Sequence, residues 1–394
     1  MKILIAFDKF KDALTALEAC EVAAGALRAR HPGWELDLCP LSDGGDGFAE
    51  IFTRAVRGRL AKFSVVGPRG GRIEAALGLV PPASLPTAAR DLLAVPALAN
   101  FAVRDPAAAK IGPIAIVEMA SASGLALLAT SQRDPWQTTT LGTGQLLRAA
   151  ADLNAVAIVL GVGGSATHDL GLGALCALGL EFHAADGRDL FAPVPADWPR
   201  LASIAGAIIP SLPPIRIACD VNNPLFGPRG AAAVFAPQKG LKAADQAALE
   251  SAGARVAAQL CDFCGQPRSL AERPGAGAAG GIAFALMVAA KARLIPGFPL
   301  ASTWLNLEAR VAAADLVITG EGRFDASSLG GKGPGAMAER ALKLGKPTHV
   351  FAGRATPPPG HGAVMHSITP EGWPLEEALR GTAANLAKAI ERSF

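Results

Sequence analysis

Between Leu153 and Gly179 the chain reads LNAVAIVLGVGGSATHDLGLGALCALG, and these residue types can hold an anion. A β-branched run, Val156 to Val159, ends in glycines that let backbone N–H groups approach a ligand closely. Ser165, Thr167, His168 and Asp169 follow, then an apolar helical pattern. Strand, loop and helix in that order make a ligand-binding corner of an open α/β sheet, with the helix N-terminus favouring negative charge. Two ligands compete for this corner. Gly161-x-Gly163-x-x-Ala166 fits a dinucleotide fingerprint, with Glu181 beyond it as the acidic partner. A phosphate or substrate loop with Asp169 at its far side fits as well, and so does a bare strand-to-helix turn.

Other polar loops also follow apolar runs. Asp8-Lys9-Phe10-Lys11-Asp12 puts lysines after the first run. Ser42-Asp43-Gly44-Gly45-Asp46-Gly47 sets two carboxylates among glycines, which suits Mg²⁺ or a hydroxyl partner as well as a plain turn. Asp220-Val221-Asn222-Asn223-Pro224 and Pro237-Gln238-Lys239-Gly240 are turn-like. Gly320-Glu321-Gly322-Arg323-Phe324-Asp325, followed by Gly330-Gly331-Lys332-Gly333, gathers Glu, Arg, Asp and Lys behind one strand and is hard to explain as a turn alone. No GxxxxGK[ST] occurs, which excludes a Walker-type phosphate loop. Together the loops predict a site in a cleft between domains.

The elements that must position these loops are legible in part. Lys2 to Phe7 reads as a buried strand. Thr15-x-x-Glu18 is a capping box opening a helix to about Arg30, and Glu35 to Cys39 is a second strand. Phe63–Val66 and Ile73–Val80 form a hairpin around Gly67-Pro68-Arg69-Gly70-Gly71. Residues 81–110 read as an irregular excursion. Strands follow at Ile114–Val117 and Ile215–Cys219, with a helix at Gly142–Leu153. Near the end come strands at Asp315–Thr319, His349–Ala352 and Ala363–Ile368, and helices at Ala336–Leu344 and Pro374–Arg392. The predicted fold class is α/β with two α/β domains. A Rossmann-like parallel-sheet domain forms from both chain ends (1–62 and 300–394), and a second, mixed α/β domain is inserted (63–299).

At 394 residues the chain can bury two cores, and a net charge of +3 argues against nucleic-acid or membrane-surface partners. The N-terminal apolar run is too short for a signal peptide, so a soluble, cytoplasmic protein is expected. Six scattered cysteines read mostly as buried thiols, and Cys261-x-x-Cys264 as two helix-end residues.

Taken in order, the segments IAFDKFKDALTALEA (5–19), LSDGGDGF (41–48), VEMASASGLAL (117–127), TTTLGTGQLL (138–147), LGVGGSATHDLGLGALCALG (160–179), ACDVNNPLFGPRGAAAVFAPQKG (218–240), GAGAAGG (275–281), DLVITGEGRFD (315–325) and GGKGPG (330–335) resemble the bacterial type-1 glycerate kinase family over nearly the whole chain. The chain departs from that family's usual DSFKGS at 8–13, from Asn-Asp-Gly at 168–170, and from Gln-Thr at 327–328. Small polar residues change while the charged ones stay.

The resemblance implies phosphoryl transfer from ATP to D-glycerate with Mg²⁺, giving 2-phospho-D-glycerate or the 3-phosphate, and leaves room for a homodimer. On that basis Asp169 or Asp8 takes or orients the proton of the attacking hydroxyl, with Lys11 as a nearby positive charge. Arg323, Lys11, Ser165 and Asp325 contact the substrate. Gly161, Gly163, Gly164, Gly331 and Lys332 hold ATP phosphates, and Asp43 or Glu321 holds Mg²⁺. Three readings stand beside this one: a kinase for another small hydroxy-acid, a non-catalytic hydroxy-acid binder, and an NAD-dependent dehydrogenase.

Overall fold

Strands that are apolar along their whole length become the parallel centres of two sheets, because helices must cover both faces of such a strand. The computed structural model describes all residues except 43, 100–110, 330–332 and 357–359, and all their side chains except those of 99 and 327. Its strands in chain order are β1 (Lys2–Phe7), β2 (Glu35–Leu38), β3 (Arg59–Val66), β4 (Arg72–Val80), β5 (Ile114–Glu118), β6 (Ala157–Gly161), β7 (Leu180–Ala184), β8 (Leu201–Gly206), β9 (Ile215–Ala218), β10 (Arg293–Ile295), β11 (Leu316–Phe324), β12 (Thr348–Ala355) and β13 (Val364–Ser367). Two compact units result, residues 1–43 with 298–394 and residues 44–297. The sequence-based junction at 62/63 falls inside β3, whose pairing with β4 begins at Arg59. The junction expected at 299/300 lies two residues from the one found.

The first unit is a five-stranded parallel sheet of order β13-β12-β11-β1-β2. Ile3 to Phe7 are fully buried at its centre. The helix Ala16–Arg30 starts as its capping box requires: Thr15 Oγ1 accepts from Glu18 N, and Glu18 accepts from Thr15 N at 2.8 Å. Its small-residue face, Ala19, Cys20, Ala23 and Leu27, shares a core with Leu386 and Ile390 of the helix Leu375–Ser393. From β1 the chain order runs one way to β2, while β11, β12 and β13 run the other way. The β1/β11 boundary is therefore the topological switch point, where open α/β sheets bind ligands at the carboxyl ends of their strands.

β11 is longer than the sequence suggests. It continues to Phe324 because β12 continues beside it, Glu321 pairing with Ala352 and Arg323 with Arg354. Glu321, Gly322 and Arg323 are strand residues, not a loop.

The second unit holds a six-stranded mixed sheet, β10-β9-β6-β5-β4-β3, and a separate hairpin, β7-β8. β5, β6, β9 and β10 are parallel, and β4 and β3 continue the sheet antiparallel as the expected hairpin. The helix Ile282–Ala290 is apolar all round and is buried over Ile282–Val288.

Residues 81–99 are more ordered than expected. They form the helix Thr87–Leu93 and a short turn of helix at Pro96–Ala99, while 100–110 lie outside the described residues. The anchor is Arg216 of β9, 4% exposed, whose guanidinium donates to Leu93 O and, at 2.8 Å, to Ala94 O. Terminal helix carbonyls need such donors, and a cation suits the helix C-terminus. Arg216→Met should leave both carbonyls unpaired and cost roughly 2–4 kcal/mol locally. Native-state hydrogen exchange across 87–95 should accelerate at least about tenfold. Unchanged exchange there contradicts the anchoring role.

The cysteines are free, with Cys20, Cys39 and Cys261 buried and Cys176, Cys219 and Cys264 half-buried. Cys261 and Cys264 occupy the last turn of the helix Gln246–Cys264. Among the described residues no helix is long and apolar enough to cross a membrane.

Candidate active site

At the switch point of the first unit, Phe7 and Gly320 are register partners, so Asp8, just past the end of β1, lies beside Glu321 within β11. Asp8 N donates to Gly320 O at 3.0 Å, and Lys9 N donates to Asp8 Oδ1 at 2.6 Å, which fixes the carboxylate. The 8–11 loop lies over Gly322, where an added Cβ would come within 3.3 Å of Lys11 N. A Cβ on Gly333, the first residue of the helix Gly333–Lys343, would sit 3.6 Å from Asp8 Oδ2. Asp8 thus stands near a helix N-terminus, a favourable place for a carboxylate. Arg323 is exposed, and its Nε pairs with Asp325 Oδ2 at 2.9 Å. Its register partner Arg354 is also exposed, so two guanidiniums share one face of the sheet. This unit therefore brings Asp8, Lys11, Glu321, Arg323 and Asp325 together. Asp43, Gly331 and Lys332 lie outside the described residues.

In the second unit the carboxyl ends of β5, β6 and β9 carry the other polar loops. Glu118, at the end of β5 and 7% exposed, accepts from Gly47 N and Ala49 N, both at 3.1 Å. Its carboxylate spans the N-terminus of the helix Phe48–Ala55, satisfying N–H groups that have no partner within the helix. Gly163 N donates to Gly44 O at 2.8 Å. A Cβ on Gly163 would lie 2.6 Å from Gly45 Cα, and one on Gly161 2.7 Å from Gly44 O. A Cβ on Gly164, at φ +70°, would meet Asp46 Oδ1 at 2.7 Å. These glycines serve a close approach of two protein loops. At Gly161 and Gly163, expected to cradle a phosphate, another backbone lies on the side an added Cβ would take. Gly164 and Ser165 keep backbone N–H groups with no acceptor among the described residues.

Asp169 is fully buried. Its Oδ2 accepts from Thr140 N at 2.7 Å, Thr140 Oγ1 at 2.8 Å and Gly173 N at 3.2 Å, and its Oδ1 accepts from Gly171 N at 3.1 Å. Burial pushes its carboxyl above the usual range, and the hydrogen bonds pull the other way. A carboxylate so enclosed has no surface to offer a substrate hydroxyl. Asp169, expected to take or orient the substrate proton, ties the 169–173 turn to Thr140 through these bonds.

Ser165 is 8% exposed, and Lys239 stands behind it, 1% exposed. Lys239 Nζ donates to Ser165 Oγ at 2.9 Å and to Thr167 O at 2.6 Å. Burial pulls its ammonium down to about 7, opposed by the charge of Asp169. His168 is buried next to it, and burial together with the Lys239 charge holds its imidazole down to about 3, so it is neutral. Glu118 and Arg354 escaped the sequence reading, and Lys239 entered it only as part of a turn-like loop. Each was visible only as a charge at the end of an apolar run or in a turn.

The dinucleotide reading of the Gly161 loop loses its support here. The strand after the loop's helix, β7, pairs antiparallel with β8 instead of entering the main sheet, and Glu181 on it is exposed. Among the described residues, no group of three or more His, Cys, Asp or Glu side chains converges to hold a metal. Mg²⁺ at a phosphoryl-transfer site needs only one or two carboxylates beside the phosphates, a requirement that Glu321 can meet.

The glycerate kinase family model matches residues 3–394. A glycerate 2-kinase of Escherichia coli is 35% identical, with 99% of this chain and 96% of that protein covered. A glycerate kinase of Bacillus subtilis is 35% identical, covering 99% and 98%. The crystal structure of a protein assigned as glycerate kinase 2 from Salmonella typhimurium LT2 superposes with a TM-score of 0.73 at 36% identity, covering 100% of this chain and 97% of that one. With this agreement in sequence and fold over its whole length, the chain belongs to the glycerate kinase family, phosphotransferases with an alcohol group as acceptor.

Proposed function

We propose that this protein transfers the γ-phosphoryl group of ATP to the 2-hydroxyl of D-glycerate, in the cytoplasm, where ATP is supplied. The observation that carries the reading is the β1/β11 switch point, which gathers Asp8 at the end of β1 with Glu321 and Arg323 in the last residues of β11 and Asp325 just past it. The name of the Escherichia coli relative supports the 2-hydroxyl. In the reaction the hydroxyl oxygen bonds to the γ-phosphorus, the bond from that phosphorus to the β–γ bridging oxygen breaks, and the hydroxyl proton leaves.

Asp8 orients the hydroxyl and accepts its proton, because its carboxylate is fixed at the strand end while Asp169 is enclosed. Arg323 takes the glycerate carboxylate by its planar fork, exchanging its pairing with Asp325, and Lys11 adds positive charge. Gly164 and Ser165 offer N–H groups to an oxyanion. Gly331 and Lys332 remain candidates for the ATP phosphates. Glu321 and Asp43 would hold Mg²⁺, which when bound neutralises phosphate charge.

A coupled ADP-release assay with ATP, Mg²⁺ and D-glycerate tests the roles. Asp8→Asn should lower kcat by about 10²–10⁴-fold without lowering the melting temperature. Arg323→Ala should act mainly on the KM for glycerate, raising it roughly 10–100-fold, the range expected for a lost charge-assisted bond. Normal kinetics in both variants would remove the switch point from the mechanism. The altered residues at 168–170 and 327–328 favour one second reading, a different small hydroxy-acid as acceptor, which the same assay resolves by substituting acceptors.

A further inference from the structure

The Gly164–Ser165 turn is held from behind more firmly than a turn requires. Ser165 and Gly124 form an isolated antiparallel bridge, closed by Leu125 N to Gly164 O at 2.8 Å and Ala166 N to Ser123 O at 2.9 Å. In such a pair the residue's own N–H turns away from the partner strand. Gly163 N is tied to Gly44 O. A buried ammonium, Lys239, completes the support through Ser165 Oγ and Thr167 O.

In its charged form, which prevails below about pH 7, Lys239 only donates. With a lone pair of Oγ taken by Nζ–H, the Ser165 hydroxyl proton cannot point at Lys239. It has no acceptor among the described residues. The same holds for the N–H groups of Gly164 and Ser165. Three donors on one turn thus have no acceptor among the described residues.

We propose that Lys239 is a positioning residue: its buried ammonium makes the Ser165 hydroxyl an obligate donor, completing an oxyanion site with the N–H groups of Gly164 and Ser165. The oxyanion is a phosphoryl or carboxylate oxygen. The inference rests on the proposed kinase reading and adds Lys239 to it.

Lys239→Met fills the same volume without a donor. Lys239→Gln offers an acceptor to which Ser165 can turn its proton. Lys239→Arg keeps a donor-only cation. Met, Gln and Ser165→Ala should each lower kcat/KM by about 100-fold, the loss typical of one oxyanion donor. Lys239→Met should add nothing in the Ser165→Ala background, because both act through one hydroxyl. Lys239→Arg should recover at least about a tenth of wild-type activity. A raised KM for ATP identifies a phosphate oxygen, and a raised KM for glycerate a carboxylate. A fall in kcat alone identifies the oxygens of the group in transfer.

A merely structural lysine predicts multiplied losses and lowered melting temperatures. Multiplied losses, or activity within about threefold of wild type in Lys239→Gln or Ser165→Ala, overturn the inference. Should Lys239→Met not fold, the Gln and Ser165→Ala variants decide. A wild-type protein inert toward glycerate defeats the kinase reading alone. Inorganic phosphate should then still raise the melting temperature of the wild type and not of Ser165→Ala, and equal shifts would overturn the inference itself.

Discussion

Asp169→Ala should lower the melting temperature by roughly 10 °C and abolish turnover, while Asp169→Asn should keep the fold and activity within about tenfold of wild type. Alanine leaves Thr140 N, Gly171 N and Gly173 N buried without an acceptor, together with the Thr140 hydroxyl, which itself accepts from Ala174 N at 2.9 Å. Unpaired buried donors cost about 1–3 kcal/mol each, so even the low end for the four together is on the order of 4 kcal/mol. At about 2–4 °C per kcal/mol for a unit of this size, that gives the expected shift. Asparagine can place its carbonyl oxygen where Oδ2 now accepts three bonds, and lose only the bond from Gly171 N. A catalytic base behaves oppositely: Asp169→Asn would melt normally and lose about 10²–10⁴-fold in kcat. Melting and steady-state kinetics of the two variants separate these cases.

Acid should destabilise this protein through His168, and His168→Asn should remove much of that sensitivity. The unfolded chain takes a proton on this histidine near 6.5, whereas the folded chain resists until about 3. Between those values the unfolded state binds more protons, so stability falls as pH falls. At about 1.36 kcal/mol per pH unit, the full difference amounts to ~4 kcal/mol by pH 3. Asparagine cannot take that proton. His366, held down to about 4 by burial and the neighbouring His349, acts in the same direction and remains in the variant. Urea denaturation at pH 7 and pH 4.5 should therefore show a smaller loss for His168→Asn than for wild type. Equal losses would mean that the imidazole is not held neutral by its surroundings.

What could be read from the sequence was local. β1 is one apolar run, the capping box spans Thr15 to Glu18, and the β3–β4 hairpin turns on adjacent glycines, so neighbours in the chain carried the signal. The readings that changed depend on distant partners. Asp169 looked like a loop carboxylate, but its enclosure comes from Thr140, 29 residues away. Glu118 holds a helix 69–71 residues upstream, and Lys239 reaches back 74 residues to Ser165. β11 seemed to end at Thr319 because glycines weaken a strand pattern, yet pairing with β12 carries it to Phe324. The junction expected at 62/63 lies within β3 for a similar reason: the hydrogen bonds of β3 are made to β4, not to its sequence neighbours.

The most direct measurement is ³¹P and ¹H NMR of the product formed from ATP, Mg²⁺ and D-glycerate by the purified protein. The expected spectrum shows ADP appearing in step with a phosphate ester coupled to the single C2 proton of glycerate. A folded protein that yields no glycerate ester contradicts the kinase account, and an ester coupled to the C3 protons contradicts the assignment of the 2-hydroxyl.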